Sequence, residues 1–312
     1  MIHEPVDIER WKALFPIEML REEIRQLVPQ WFERDHGRPP RDYSEIADWV
    51  EMALPHTDSI TGPLHVAMLV QEREELREQV PFRNPLPTDV FVLGKGEPAR
   101  RDVTKTGGLP CWPRERPWPR TAAGEPMTFI AQFNFFDSLD ITGPLPGELL
   151  LLFGDQTVPN GGYHDDPAAF AFHWLPAGLD DLIAAADVPE TAWTLAPYYG
   201  EILRTVDYTY PEDHFEQWFR ARVFEIEGIK IGGRPYWVQN PEFPDDRFLC
   251  VLGSNEAALN RPFAYVNTPE PLLPASTHFW PSDKSAVIWG DSGSLYIFLT
   301  ADGKIRWSEQ CY

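Results

Sequence analysis

Cys111 stands beside Trp112 in a proline-rich stretch, with Arg114 and Arg116 just behind it. Cationic neighbours of this kind lower a thiol pKa and favour the nucleophilic thiolate. A nucleophilic cysteine also needs a base, and His164, His173, His214 and His278 are scattered far along the chain. A small packed side chain is therefore the expectation for Cys111. GGYHDD at 161–166 offers His164, Asp165 and Asp166, ligand types that suit a divalent metal. It lacks a second ligand at helical spacing, as in H-E-x-x-H, and reads as a polar loop. Asp245 and Asp246 in FPDDRF read as a turn leading into a strand. The most site-like stretch is WGDSGS at 289–294. A serine nucleophile in G-x-S-x-G turns into a helix, whereas a strand-like run follows here, so a tight turn shaped by the Asp carboxylate is expected. Asp291 and Ser292 are retained as candidate binding contacts. The phosphate-cradling G-x-x-x-x-G-K-[ST] and G-x-G-x-x-G patterns are absent. No catalytic residue, metal site or cofactor is assigned.

Most of the tryptophans are expected in the core, with a subset that could line a binding groove. Five of the twelve tryptophans, Trp112, Trp118, Trp237, Trp280 and Trp289, fall in Pro/Gly-rich segments. Two of them end the same phrase, Gly-Gly-x-Pro-x-Trp, at 107–112 and again at 232–237. The glycine pair opens positive φ, the proline fixes an extended exit, and the Trp anchors the chain against a sheet. After each copy come a short aromatic strand and then Gly-x-Leu or Gly-Ser-Leu leading an apolar one: FIAQFNF and GELLLLF, then FLCVLGS and GSLYIFL. This order predicts an internal duplication, with related β-rich halves at about 81–175 and 220–312. Trp112 and Trp237 are candidate binding residues lining a groove between them.

The elements that must position these residues change character along the chain. Residues 1–80 read as a helical segment. Apolar residues stand on one helical face between Ile17 and Val28, a second helix is expected from Ser44 to Leu54, and a third from Leu64 to Gln79. PFRNPLP is a proline-rich connection into an 81–312 domain. Strands are expected at 90–93, 129–135, 149–153, 170–174, 248–252, 286–289 and 295–299, with helical pattern at 179–186 and around 211–219. Strands and helices without a βαβ rhythm predict an α+β fold with mainly antiparallel sheet.

Taken together, TGGLPCWP, PMTFIAQFNF with LPGELLLLFGD, KIGGRPYWVQ and the closing WGDSGSLYIFLTADGKIRWSEQCY resemble the YwqG-like family of bacterial domains of unknown function, over roughly 90–312. The resemblance implies an α+β domain, a cytosolic setting, no established enzyme activity, and an immunity-type role. The first eighty residues lie outside it.

Composition is that of a globular protein with an aromatic core. The 32 prolines are about twice average usage and lie among aromatics, as rigid turns around a core do. The three cysteines are odd in number and far apart, and the first twenty residues carry no signal-peptide pattern, so a reducing cytoplasm is expected. The net charge of −21 is uneven: −8 over 1–80, +4 over 81–120 and −17 over 121–312. An acidic body repels phosphate backbones, which disfavours nucleic acid, and steers toward a basic protein partner. No apolar run is long enough to span a membrane. The expectation is an interaction protein, an immunity-like antagonist of a basic partner. The alternatives are a small-molecule binding domain with an aromatic cleft between halves, or a hydrolase whose residues assemble only in space.

Overall fold

A computed structural model describes residues 28–30, 32–34, 36–47, 73, 82–158, 166–209, 224–226, 228–254, 287–290 and 293–311. Ten strands dominate it: β1 (Arg83–Lys95), β2 (Lys105–Thr106), β3 (Thr128–Asn134), β4 (Leu149–Gly154), β5 (Phe170–Leu175), β6 (Tyr198–Thr209), β7 (Lys230–Gly232), β8 (Arg247–Gly253), β9 (Ser294–Leu299) and β10 (Ile305–Gln310). They form one sheet in the order β10-β9-β8-β7-β1-β6-β2-β3-β4-β5, and every pairing in it is antiparallel.

This architecture corrects the α+β expectation with its helical N-terminal segment. Among the described residues, helical structure with defined ends is limited to 3-10 turns at Tyr43–Glu45, Phe136–Ser138, Pro167–Ala169 and Ala185–Asp187, and to a one-turn helix, α1 (Leu139–Thr142). Asp42, not Ser44, caps the first of these by accepting the Ser44 N–H. The expected helices at 17–28 and 64–79, the one around 211–219, and most of 44–54 lie outside the described residues. The helical pattern at 179–186 is overridden by tertiary contacts. Ile183 donates its N–H to the Trp112 carbonyl at 2.8 Å, Arg114 donates to the Asp181 carbonyl at 3.0 Å, and Leu182 bridges Pro113. The segment is thereby held extended against the Trp112 loop, and Ile183 is buried there.

The strand order has an internal correspondence. β1 and β6 lie side by side at the centre, β1 also pairs with β7, and β6 also pairs with β2. Each outer group, β2-β3-β4-β5 and β7-β8-β9-β10, is thus joined to a central strand from the other half of the chain. Registers match as well. β3 breaks register against β4 between Phe129 and Ala131, and β8 does so against β9 between Phe248 and Cys250. Such bulges sharpen local twist.

The outermost strands are brought into contact: Phe170 on β5 meets Trp307 on β10 edge-on, with ring centroids 4.6 Å apart. The curled sheet buries one continuous cluster that draws on both halves, including Ile130, Phe133, Leu150 and Leu152 with Leu249, Leu252, Leu295 and Ile297. Because successive strand residues point to opposite faces, Leu149, Leu151 and Phe153 look away from that cluster. Trp112, Met127 and Ile183 cover them. Tyr296 and Phe298 do the same in the other half, under Trp237 and Phe243. Both sheet faces are therefore covered, which explains the unbroken apolar runs LLLLF and LYIFL.

Candidate functional site

Each Gly-Gly turn closes over a buried lysine paired with a carboxylate, partly exposed in the first turn and sealed in the second. Lys105 on β2 donates to Glu97, whose second oxygen accepts the Leu109 N–H at 3.3 Å. Lys230 on β7 donates to Asp207 Oδ2 at 2.7 Å, and that oxygen also accepts the Arg234 N–H at 2.8 Å. Asp207 Oδ1 takes the Ile226 N–H at 2.9 Å, and Arg73 stands 3.9 Å from it. Gly108 and Gly233 have φ of 66° and 68°, and a methyl at either position would run into the Glu97 or Asp207 carboxylate. Burial pulls the Lys105 pKa down while Glu97 opposes it. Burial also pushes the Glu225 carboxyl up to about 7; Asp207 adds to the rise, and Lys230 and Arg234 oppose it. Both lysine side chains are sealed from solvent, so these pairs brace the turns and present no reactive amine.

The exposed counterpart lies between β3 and β4. Phe136, on the 3-10 turn, is 59% exposed, and Leu139 on α1 is 39% exposed; Asp137 and Asp140 stand among them. The knuckle is fixed from below. Asn134 Oδ1 accepts the Phe136 N–H at 2.8 Å, and Ser138 Oγ donates to buried Asp89 of β1 at 2.6 Å. Arg204 of β6 ties together the Asp89 carboxylate, the Asp140 carboxylate at 2.7 Å and the Asp137 carbonyl at 2.9 Å. These carboxylates hold the guanidinium pKa above its ordinary value, with Asp89 the main cause. On the far side Arg247 of β8 donates to the Thr142 carbonyl at 2.7 Å. An aromatic anchor is thus held rigidly at the surface beside two carboxylates, an arrangement suited to a partner with an apolar socket and cationic rim. Sequence reasoning passed over these residues. The available signal was FNFFDSLD, an aromatic left beyond the strand with acids close behind.

The residues singled out from sequence are not brought together. Trp112 is fully buried, with Nε1 donating to the Arg116 carbonyl at 3.0 Å and its ring against Phe153 and His173. Trp237 lies half-buried over Tyr296 and Phe298 in a separate cluster. Each indole covers the outward face of its own half. Asp291, Ser292, His164 and Asp165 lie outside the described residues, and Asp166 caps the Pro167–Ala169 turn. Asp246 sits in the turn before β8 and pairs with Arg306 at 2.8 Å. The buried Cys111 thiol is pushed up to about 11, chiefly by burial, which opposes the activation its arginine neighbours suggested. Arg116 instead meets His173 Nδ1 at 3.1 Å, and the His173 pKa is lowered, by burial first and by Arg116 second.

Among the described residues no three His, Cys, Asp or Glu side chains group as metal ligands, and no helix is long and apolar enough to cross a membrane. No curated protein matches the chain. A family whose description is "Domain of unknown function (DUF1963)" matches residues 104–303. That span runs from β2 through β9 and takes in both Gly-Gly turns and the knuckle, and the chain belongs to this family.

Proposed function

We propose that this protein is a non-catalytic binding protein that engages a basic protein partner through the Phe136–Asp140 knuckle. The observation that carries the reading is an aromatic side chain 59% exposed on a turn whose backbone is anchored to buried Asp89 through Ser138 and Arg204. A preorganised anchor loses little freedom on binding, so covering it is productive. Burying Phe136 and Leu139 would contribute roughly 2–3 kcal/mol. The net charge of −21 would speed encounter with a cationic partner. The motif resemblance to YwqG-like proteins supports an immunity-like, antagonist role. The free cysteines support a cytoplasmic setting. The matching register breaks in β3–β4 and β8–β9 support a duplicated origin for the β-rich stretches at about 81–175 and 220–312.

Immobilised wild type, Phe136→Ser/Leu139→Ser and Tyr43→Ser, an exposed aromatic elsewhere, test the reading in extract from the source cells. A basic protein should be held by wild type and Tyr43→Ser, released by high salt, and lost from the knuckle variant. Retention of the same proteins by all three, or by none, contradicts the proposal.

A further inference from the structure

Arg73 precedes both β1 and the span matched by the family, yet only 5% of it is exposed. Its guanidinium donates to the Val206 carbonyl at 2.7 Å and to the Phe224 carbonyl at 3.2 Å. It lies over the Tyr208 ring, 5.4 Å from the centroid, and 3.9 Å from Asp207. Phe82 packs against both Tyr208 and Phe224 and backs that wall. Two carbonyl acceptors, an aromatic face and a nearby carboxylate suit a planar, delocalised cation better than a compact ammonium. Asp207 does not depend on this cation. Lys230 and the N–H groups of Ile226 and Arg234 already occupy its two oxygens, and 3.9 Å is too long for a hydrogen bond from Arg73. Burial meanwhile pulls the Arg73 pKa down, with Asp207 and Tyr208 opposing. Withdrawing Arg73 therefore leaves the Lys230–Asp207 pair in place.

We propose that Arg73 stands in for a partner's arginine: the socket formed by Val206, Asp207, Tyr208 and Phe224 binds the guanidinium of a basic protein once Arg73 is displaced. The chain between Arg73 and β1 is short, so Arg73 competes at an effective concentration on the order of millimolar. A lone arginine must exceed that level, whereas a partner with further contacts overcomes it through avidity. The choice of a protein's arginine rests on the basic-partner reading, but no knuckle residue takes part, so the socket and the knuckle can fail separately.

The test has two arms, both on the full-length protein. In Arg73→Ala, methylguanidinium fills the vacated socket, and thermal shift should show saturable stabilisation at about tenfold lower concentration than for methylammonium. Wild type, already occupied, should show no such preference. The second arm asks whether Arg73 gives way, and it also serves if Arg73→Ala fails to fold. Wild type carrying isotope-labelled arginine is titrated to roughly 50 mM, above the local concentration of Arg73, with acetyl-Gly-Arg-Gly-amide and its lysine and citrulline counterparts. The Arg73 Nε resonance, assigned with Arg73→Lys, should move to the position of a solvated arginine with the arginine peptide alone. Phe136→Ser/Leu139→Ser should titrate as wild type does, which separates this site from the knuckle. Equal response of Arg73→Ala to the two cations, the same preference in wild type, or an Arg73 resonance unmoved by the arginine peptide overturns the proposal.

Discussion

Glu225 is the residue whose chemistry departs most from its ordinary behaviour in the physiological range. Its carboxyl is pushed up to about 7 by burial, beside Asp207, Lys230 and Arg234. A folded-state pKa above the unfolded value means that the folded protein binds the extra proton. The associated stability is complete below the ordinary carboxyl pKa of 4.5 and disappears as pH rises through about 7. Glu225→Gln should therefore flatten the decline in unfolding free energy between pH 5 and 7. Above that window the variant should be more stable than wild type by roughly 1–2 kcal/mol, since Glu225 is only partly buried. Equilibrium denaturation across pH checks this. The adjoining Lys230–Asp207 pair behaves differently, because both side chains are sealed. Asp207→Asn leaves a buried ammonium without its counter-charge and should cost about 3–5 kcal/mol by denaturant titration. The matching change at Glu97, which is 36% exposed, should cost much less.

The Gly-Gly turns show how far sequence reasoning reaches for elements. The repeated phrase implied positive φ, and Gly107, Gly108, Gly232 and Gly233 all adopt it. What one-dimensional reading could not supply was the carboxylate that faces the second glycine: Glu97 from the loop after β1, and Asp207 from β6. Gly233→Ala should cost several kcal/mol, because positive φ alone costs an alanine about 1–2 kcal/mol and its methyl would also collide with Asp207 and Thr88. Calorimetric Tm comparison with an alanine at Gly124, where nothing lies near a Cβ, separates the two contributions. Strands buried on both faces, β3, β4, β8 and β9, were legible as apolar runs. β6 was not: YYGEILRTVDYT mixes Gly, Arg and Asp with its apolar residues. Those charges are satisfied by Asp89, Lys230 and Arg73, which no local pattern reveals. β10 hid behind polar residues, IRWSEQ. PFRNPLP looked like a linker, yet Pro85 and Pro87 fall inside β1, ahead of Thr88 where the pairing with β7 begins. At that end a proline removes no ladder bond to β7.

For the whole molecule, the two central strands make the halves interdependent. β1 is held by β6 and β7, so neither outer group completes its hydrogen bonding without a strand from the other half. The candidate surface inherits that dependence. The knuckle between β3 and β4 is pinned by Asp89 from β1, Arg204 from β6 and Arg247 from β8, residues spread across 158 positions of sequence. Nothing in composition or charge singles out this turn, because exposure of Phe136 is a property of the assembled sheet. If this knuckle is the contact point, position 136 lies against the partner. The most direct measurement places a photo-crosslinking phenylalanine analogue at 136, and separately at 43, in the full-length protein within its source cells. Irradiation should attach one basic protein from position 136 and none from 43. No adduct at 136, or the same adducts from both positions, would contradict it.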